Sequence, residues 1–187
     1  MNYEEDLETI DNDIPIQLED IECEASASPE EETVPEAVSF PNVNIQLPAS
    51  GRGYYSFSAN RNKQFALAKT IQAIEAIGRA WFTNHSTGPL IGVGNISVKG
   101  GGPVPPHKSH QRGLDVDFRL FRKDGARVGV RYQDPGYSRS RTQELVKTIR
   151  ANSVLQVDLI LFNDSSVTGV RPWPGHDDHL HVRFKQP

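Results

Sequence analysis

Five of the six histidines fall in two short stretches. "PPHKSHQRGLDVDF" (105–118) holds His107 and His110, with Asp115 and Asp117 close behind. "WPGHDDHLHVRF" (173–184) holds His176, His179 and His181. Imidazole nitrogens and carboxylate oxygens are ordinary zinc ligands, and two histidines with one carboxylate leave the fourth position of a catalytic site open. Imidazole also titrates near neutrality, so a further histidine beside a metal can move protons. Taken alone, the first stretch reads better as a polar loop entering a surface strand, and the second as two exposed histidines on a half-buried strand. Their coincidence in one chain favours a shared site.

Spacing restricts how such a site can form. In "HLHVRF" (179–184), His179, His181 and Arg183 share one strand face, and Leu180, Val182 and Phe184 share the other. The two imidazoles then stand about 7 Å apart along the strand. His110 and Asp117 are seven residues apart. On one straight strand they would be separated by roughly 23 Å, so the chain must fold back between them. Gly113 tolerates the dihedral angles of a tight reversal, and Pro105–Pro106 limits the wander of the loop.

The elements around these stretches follow from periodicity. Asn60 is placed to cap a helix running to about Asn84, with Leu67, Ile71, Ile74, Ile77 and Trp81 as its buried stripe. His85 reads as a helix-end residue without a special role. "PLIGVGNISV" (89–98) is strand-like, and "LDVDFRLF" (114–121) alternates, with Asp115, Asp117 and Arg119 off the apolar face. "DGARVGVRY" (124–132) reads as a turn and a strand. Ser140 is placed to cap a second helix to about Asn152, with Gln143 completing a capping box. "VDLILFN" (157–163) reads as a buried strand. These elements predict an α+β domain: a small, mainly antiparallel sheet flanked by two main helices.

Charge divides the chain. Of 24 acids, fourteen lie in residues 1–50 with no Lys or Arg, which leaves ten acids against all 20 bases in 51–187. Residues 1–45 are expected to form a disordered acidic tail, because they offer too little apolar surface to offset ordering entropy. The folded domain is expected over 46–187. A basic body suits nucleic acid, anionic membranes or anionic wall polymers. The aromatics are few and show no stacking pattern, so nucleic acid is not an expected partner. No apolar run approaches the roughly 20 residues of a membrane helix, so membrane insertion is not expected either. Cys23 is the single cysteine, which excludes an internal disulfide and a cysteine zinc knuckle. "MNYEEDLETIDNDIP" lacks the pattern of a secretory signal, so the chain is expected to be made in the cytoplasm without one.

"GGPVPPHKSHQRGLDVDF" and "WPGHDDHLHVRF" resemble the signature blocks of the penicillin-insensitive murein endopeptidases, within the wider lysostaphin and D-alanyl-D-alanine metallopeptidase group. The resemblance runs from about residue 54 to 187, and the acidic tail has no counterpart in it. It implies a zinc metallopeptidase domain in which His110, Asp117 and His181 ligate Zn2+. It further implies that His179 is the catalytic histidine, that His176 is a second active-site histidine, and that His107 is an extra ligand. Asp115 and Asp178 are candidates for supporting roles.

The implied activity is hydrolysis of peptide cross-links in peptidoglycan, at the bond between D-alanine and meso-diaminopimelate. Two rival expectations are a D,D- or L,D-carboxypeptidase acting on uncross-linked stems, and a non-catalytic zinc-stabilised wall-binding domain. The wall lies outside the membrane, so the absence of an evident signal suggests delivery by phage lysis or by a phage tail or contractile injection machine. The acidic tail could dock into such a machine, or could fold over the basic cleft and quiet it.

Overall fold

A computed structural model describes residues 42–187 except Ala59 and Pro106; of the acidic tail expected over 1–45, residues 1–41 lie outside the described residues. The described residues form eight strands and two α-helices: β1 (Ile45–Gln46), β2 (Ser50–Gly51), β3 (Tyr54–Ser56), β4 (Phe65–Ala66), α1 (Ala68–Asn84), β5 (Ile91–Val93), β6 (Asp115–Arg119), α2 (Arg139–Ala151), β7 (Val157–Leu161) and β8 (His179–Phe184). The main sheet has the order β2-β3-β5-β6-β8-β7, and β1 pairs with β4 in a separate ribbon. All pairings are antiparallel except β3 with β5. The expected α+β class, with a small and mainly antiparallel sheet and two helices, is the observed one.

One core joins the helices to the sheet. Ile71, Ile74, Ile77 and Trp81 of α1 and Leu145, Val146 and Ile149 of α2 meet the sheet's apolar side chains in it. Val116 and Phe118 of β6 and Leu180 and Val182 of β8 are fully buried there. Each contributes roughly 1.5–3 kcal/mol by leaving water. The two central strands are thereby held rigid by one face, while the other carries Asp115, Asp117, Arg119, His179, His181 and Arg183. His85 caps α1, stacks on Trp81 with ring centres 3.9 Å apart and meets Glu144 of α2 at 2.9 Å, so it ties the helices together.

Several elements differ from expectation. Asn60 caps a single 3-10 turn, Arg61–Lys63, and α1 begins only at Ala68. The intervening backbone is committed elsewhere. Phe65–Ala66 pairs with β1, and buried Gln64 donates to the carbonyls of Val93 and Gly94 at 3.0 and 2.9 Å. Helix α2 starts at Arg139 with Ser138 as its cap residue, and Gln143 bonds the backbone of Thr168 instead of closing a capping box. Residues 124–132 form no strand: Val128 is exposed and Arg131 N–H donates to Asp134. Finally, β7 lies at the sheet edge, with only Ile160 buried, so it is not the buried strand expected for 157–163.

Candidate metal centre

Register brings the two histidine stretches together. Strands β6 and β8 are adjacent, and their partners are Asp115 with Arg183, Asp117 with His181, and Arg119 with His179. Each residue of the acidic-basic face of β6 thus meets one from the HxH strand. Asp117 is further held through its backbone, with N–H donating to Asn95 O at 3.0 Å and its carbonyl accepting from Gly94 N–H at 2.7 Å.

His110 arrives from the loop before β6. The chain reverses at Gly113, whose φ is +66° and whose Cα faces the start of α1 so closely that a Cβ would lie 2.9 Å from Ala66 Cα and Leu67 N. The reversal that spacing demanded is present, and only glycine fits it without strain. It buries His110 completely beside Asp117.

Three atoms converge. His110 Nε2 lies 3.1 Å from His181 Nδ1 and 3.2 Å from Asp117 Oδ1, and His181 Nδ1 lies 3.3 Å from Asp117 Oδ1. The outer nitrogens fix the tautomers. His110 Nδ1–H donates to the Ile96 carbonyl at 2.7 Å, and His181 Nε2–H donates to the Asp115 carboxylate at 3.1 Å. Carbonyl and carboxylate oxygens only accept, so both inner nitrogens present lone pairs unless a second proton binds. Three lone-pair atoms so close repel one another unless a positive charge sits among them. A tetrahedral ion with ligand distances of about 2.0–2.2 Å separates its ligands by roughly 3.3–3.6 Å, close to the observed triangle. The residues therefore fit a small divalent metal.

Electrostatics point the same way. Burial pushes the Asp117 carboxyl up, but hydrogen bonds from His110 and His181 when a second proton binds them, and the charge of His110 and His179, hold it far below the usual carboxylate range. Burial lowers His181, yet Asp115 and Asp117 outweigh it and push the imidazole up to about 9. A pocket that holds a proton this firmly also favours a metal cation. Asp115 is itself raised by burial but held low overall by His181 and by Arg183 Nε, 2.8 Å away.

The remaining histidines surround this triangle. His179 Nε2 lies 3.6 Å from Asp117 Oδ1, and its Nδ1–H donates to Asp178 at 2.7 Å. His176 stands with its ring centre 5.0 Å from that of His179 and 5.4 Å from that of His181, and its Nδ1–H is shared between the Trp173 and Pro174 carbonyls. Burial, and then the nearby His179, lower the pKa of His176. His107 offers a wider arrangement: its ligand atom and those of His110 and Asp117 lie within 4.8 Å of one another. Its Nε2 accepts from the Asn95 amide at 3.2 Å. A cleft of about 480 Å³ opens onto Asp117 and His179, walled by Phe57, Lys63, His107 and Arg119.

All six sequence candidates thus lie in one site. The supporting residues were less visible. Asn95 and the Ile96 carbonyl sit in an irregular segment after β5 and carry no motif. Asp115 was a candidate for support and is a buried bridge between His181 and Arg183. Arg119 and Arg183 are engaged with Asp178 and Asp115, so they serve the site's framework.

Comparison with known proteins decides the family. The model of the penicillin-insensitive murein endopeptidases matches residues 42–156. The chain belongs to the penicillin-insensitive murein endopeptidase family. A penicillin-insensitive murein endopeptidase of Haemophilus influenzae is 30% identical over 169 residues, covering 75% of this chain and 58% of that one. Its namesake in Klebsiella pneumoniae strain 342 is 26% identical over 169 residues, covering 75% and 61%. The chain therefore spans about three-fifths of the length of these relatives. The murein endopeptidase family match contains His107, His110 and Asp117 but ends before the HxH strand. The pairing of β6 with β8 adds His179 and His181 to the same site.

Proposed function

We propose that the domain, taken as residues 46–187, is a zinc-dependent peptidoglycan endopeptidase that hydrolyses the peptide cross-link between D-alanine and meso-diaminopimelate. The observation that carries this is the triangle of His110 Nε2, Asp117 Oδ1 and His181 Nδ1, with sides of 3.1–3.3 Å and both histidine tautomers fixed from behind. The family of the chain and the names of its relatives support the substrate.

His110, Asp117 and His181 would hold the ion, and His107 stays outside the tight triangle with one ring nitrogen engaged by Asn95. Zinc in that place supplies Lewis-acid polarisation of the scissile carbonyl and lowers the pKa of a water to about 7. His179 presents the lone pair of Nε2 toward Asp117, where it can accept a proton from the attacking water and return it to the leaving amine. His176 stands beside it, and the imidazole that is protonated faces the developing oxyanion as a cation. The cleft between Lys63 and Arg119 receives the peptide, and bacterial wall is the place of action.

The test is digestion of purified, cross-linked sacculi by the full chain, with and without a chelator, followed by separation of the soluble muropeptides. Conversion of dimers to monomers that stops with chelator and returns with zinc is expected. Zinc-loaded protein that leaves every dimer intact overturns the proposal. Release of terminal D-alanine from monomers alone would identify a carboxypeptidase instead.

A further inference from the structure

The two aspartates of "HDDH" point in different directions. Asp177 accepts from Asn163 Nδ2 at 2.6 Å and from Arg131 at 2.7 Å, and so anchors its own loop. Asp178 lies between His179 Nδ1, at 2.7 Å from Oδ1, and Arg119, whose Nη1 lies 2.9 Å from Oδ2. Arg119 is held in turn. It is the cross-strand partner of His179, its guanidinium sits over the Phe57 ring at 4.6 Å, and its Nε is buried.

We infer that Asp178 is a positioning residue for His179, and that Arg119 dictates which hydrogen bond Asp178 makes. This rests on the proposed role of His179 in the hydrolysis. A carboxylate can only accept. With Arg119 on one oxygen, the other must receive the Nδ1–H of His179, which leaves Nε2 as a lone pair aimed toward Asp117. The arrangement sets the tautomer and the ring plane together.

The relation makes an unusual demand on the isosteric variant. In Asp178→Asn the side chain has one oxygen and one NH2. Arg119 cannot accept a hydrogen bond, so it captures the oxygen. The NH2 then faces His179 Nδ1, which must accept, and the proton moves to Nε2. The lone pair required at the reacting end is lost although nothing has been displaced. Removing the guanidinium as well releases the amide to flip, and its oxygen can again receive Nδ1–H.

The experiment compares wild type, Asp178→Asn, Arg119→Met and the double variant as zinc-loaded full chains. It measures zinc content, kcat and KM on purified muropeptide dimers, and two-bond 15N–1H correlation spectra of histidine-labelled protein. Asp178→Asn should keep its zinc and its KM and lose kcat on the order of 10²–10⁴-fold, the usual contribution of a general base. Its His179 should carry the proton on Nε2. The double variant should recover at least about tenfold of that loss and return the proton to Nδ1, a sign of coupling that a merely structural role does not produce. Unchanged kcat in Asp178→Asn, a double variant no faster than the single one, or His179 protonated on Nδ1 in Asp178→Asn would each overturn the inference. If wild type itself cleaves no dimer, the proposed function fails, and the spectra still decide whether Asp178 and Arg119 set the tautomer.

Discussion

Asp117 and His181 are direct partners across strands β6 and β8, and their side chains meet at 3.3 Å, Oδ1 to Nδ1. Sequence places them 64 residues apart. The apolar face of the same strand pair, Val116 and Phe118 against Leu180 and Val182, is what keeps them opposed. A one-residue slip would turn both side chains into the core.

Asp117→Asn should therefore abolish tight zinc binding while leaving the sheet in place. The amide matches the carboxylate in shape but brings no charge to two buried imidazoles. Zinc retained after gel filtration at wild-type stoichiometry, with unchanged far-UV circular dichroism, would contradict this.

Asp115 acts at one remove. It holds His181 Nε2–H, orienting the ring and raising its basicity. Asp115→Ala should weaken zinc affinity by about 10–100-fold without abolishing it, as is typical for groups behind a ligand. Competition against a chromogenic chelator measures the shift.

The histidines' clustering and the strand alternation made the candidate ligands legible from sequence. Periodicity also located β8 and the core stripe of α1, because those patterns are local and repeat. Two of the misplaced element boundaries lie where a side chain is claimed by a distant partner. Gln64 reaches the carbonyls of Val93 and Gly94 at the end of β5, Gln143 reaches Thr168, and neither partner leaves a mark near it in the sequence. For the same reason Asp115 could be named only as a candidate for support. Whether a carboxylate faces a histidine depends on register between strands, which short-range spacing does not encode.

Stability should depend on pH through His181. Burial lowers its pKa, but Asp115 and Asp117 outweigh this and raise it to about 9, above the ordinary value near 6.5. A raised pKa favours the folded state in its protonated form. This stabilisation of the metal-free protein is fully present below about pH 6.5 and is lost as pH rises through about 9. Metal replaces the proton, so uptake near pH 7 should release one, and affinity should rise with pH over the same interval. Thermal unfolding of metal-free and zinc-loaded protein from pH 6 to 9.5 checks the sign: the melting temperature should fall only in the metal-free series.

Gly113→Ala should destabilise the protein by about 1–3 kcal/mol and weaken zinc binding, because the reversal that delivers His110 would be strained. The Cβ would meet backbone at 2.9 Å as well as adopting a φ of +66°. Gly125, at φ +73° with open space around its Cα, is the comparison: alanine there should cost less and leave zinc binding unchanged. Equal effects at both positions, read by urea unfolding and zinc titration, would remove the special role of Gly113.

The proposed hydrolysis requires that His110 and His181 hold the ion with Asp117 and that His179 works beside it. Zinc content per chain, measured by mass spectrometry on wild type, His181→Ala and His179→Ala, together with cleavage of purified muropeptide dimers, tests this most directly. The expected result is one zinc in wild type, none retained in His181→Ala, and one in His179→Ala with turnover lost. Full zinc in His181→Ala, or loss of zinc from both variants, would contradict it.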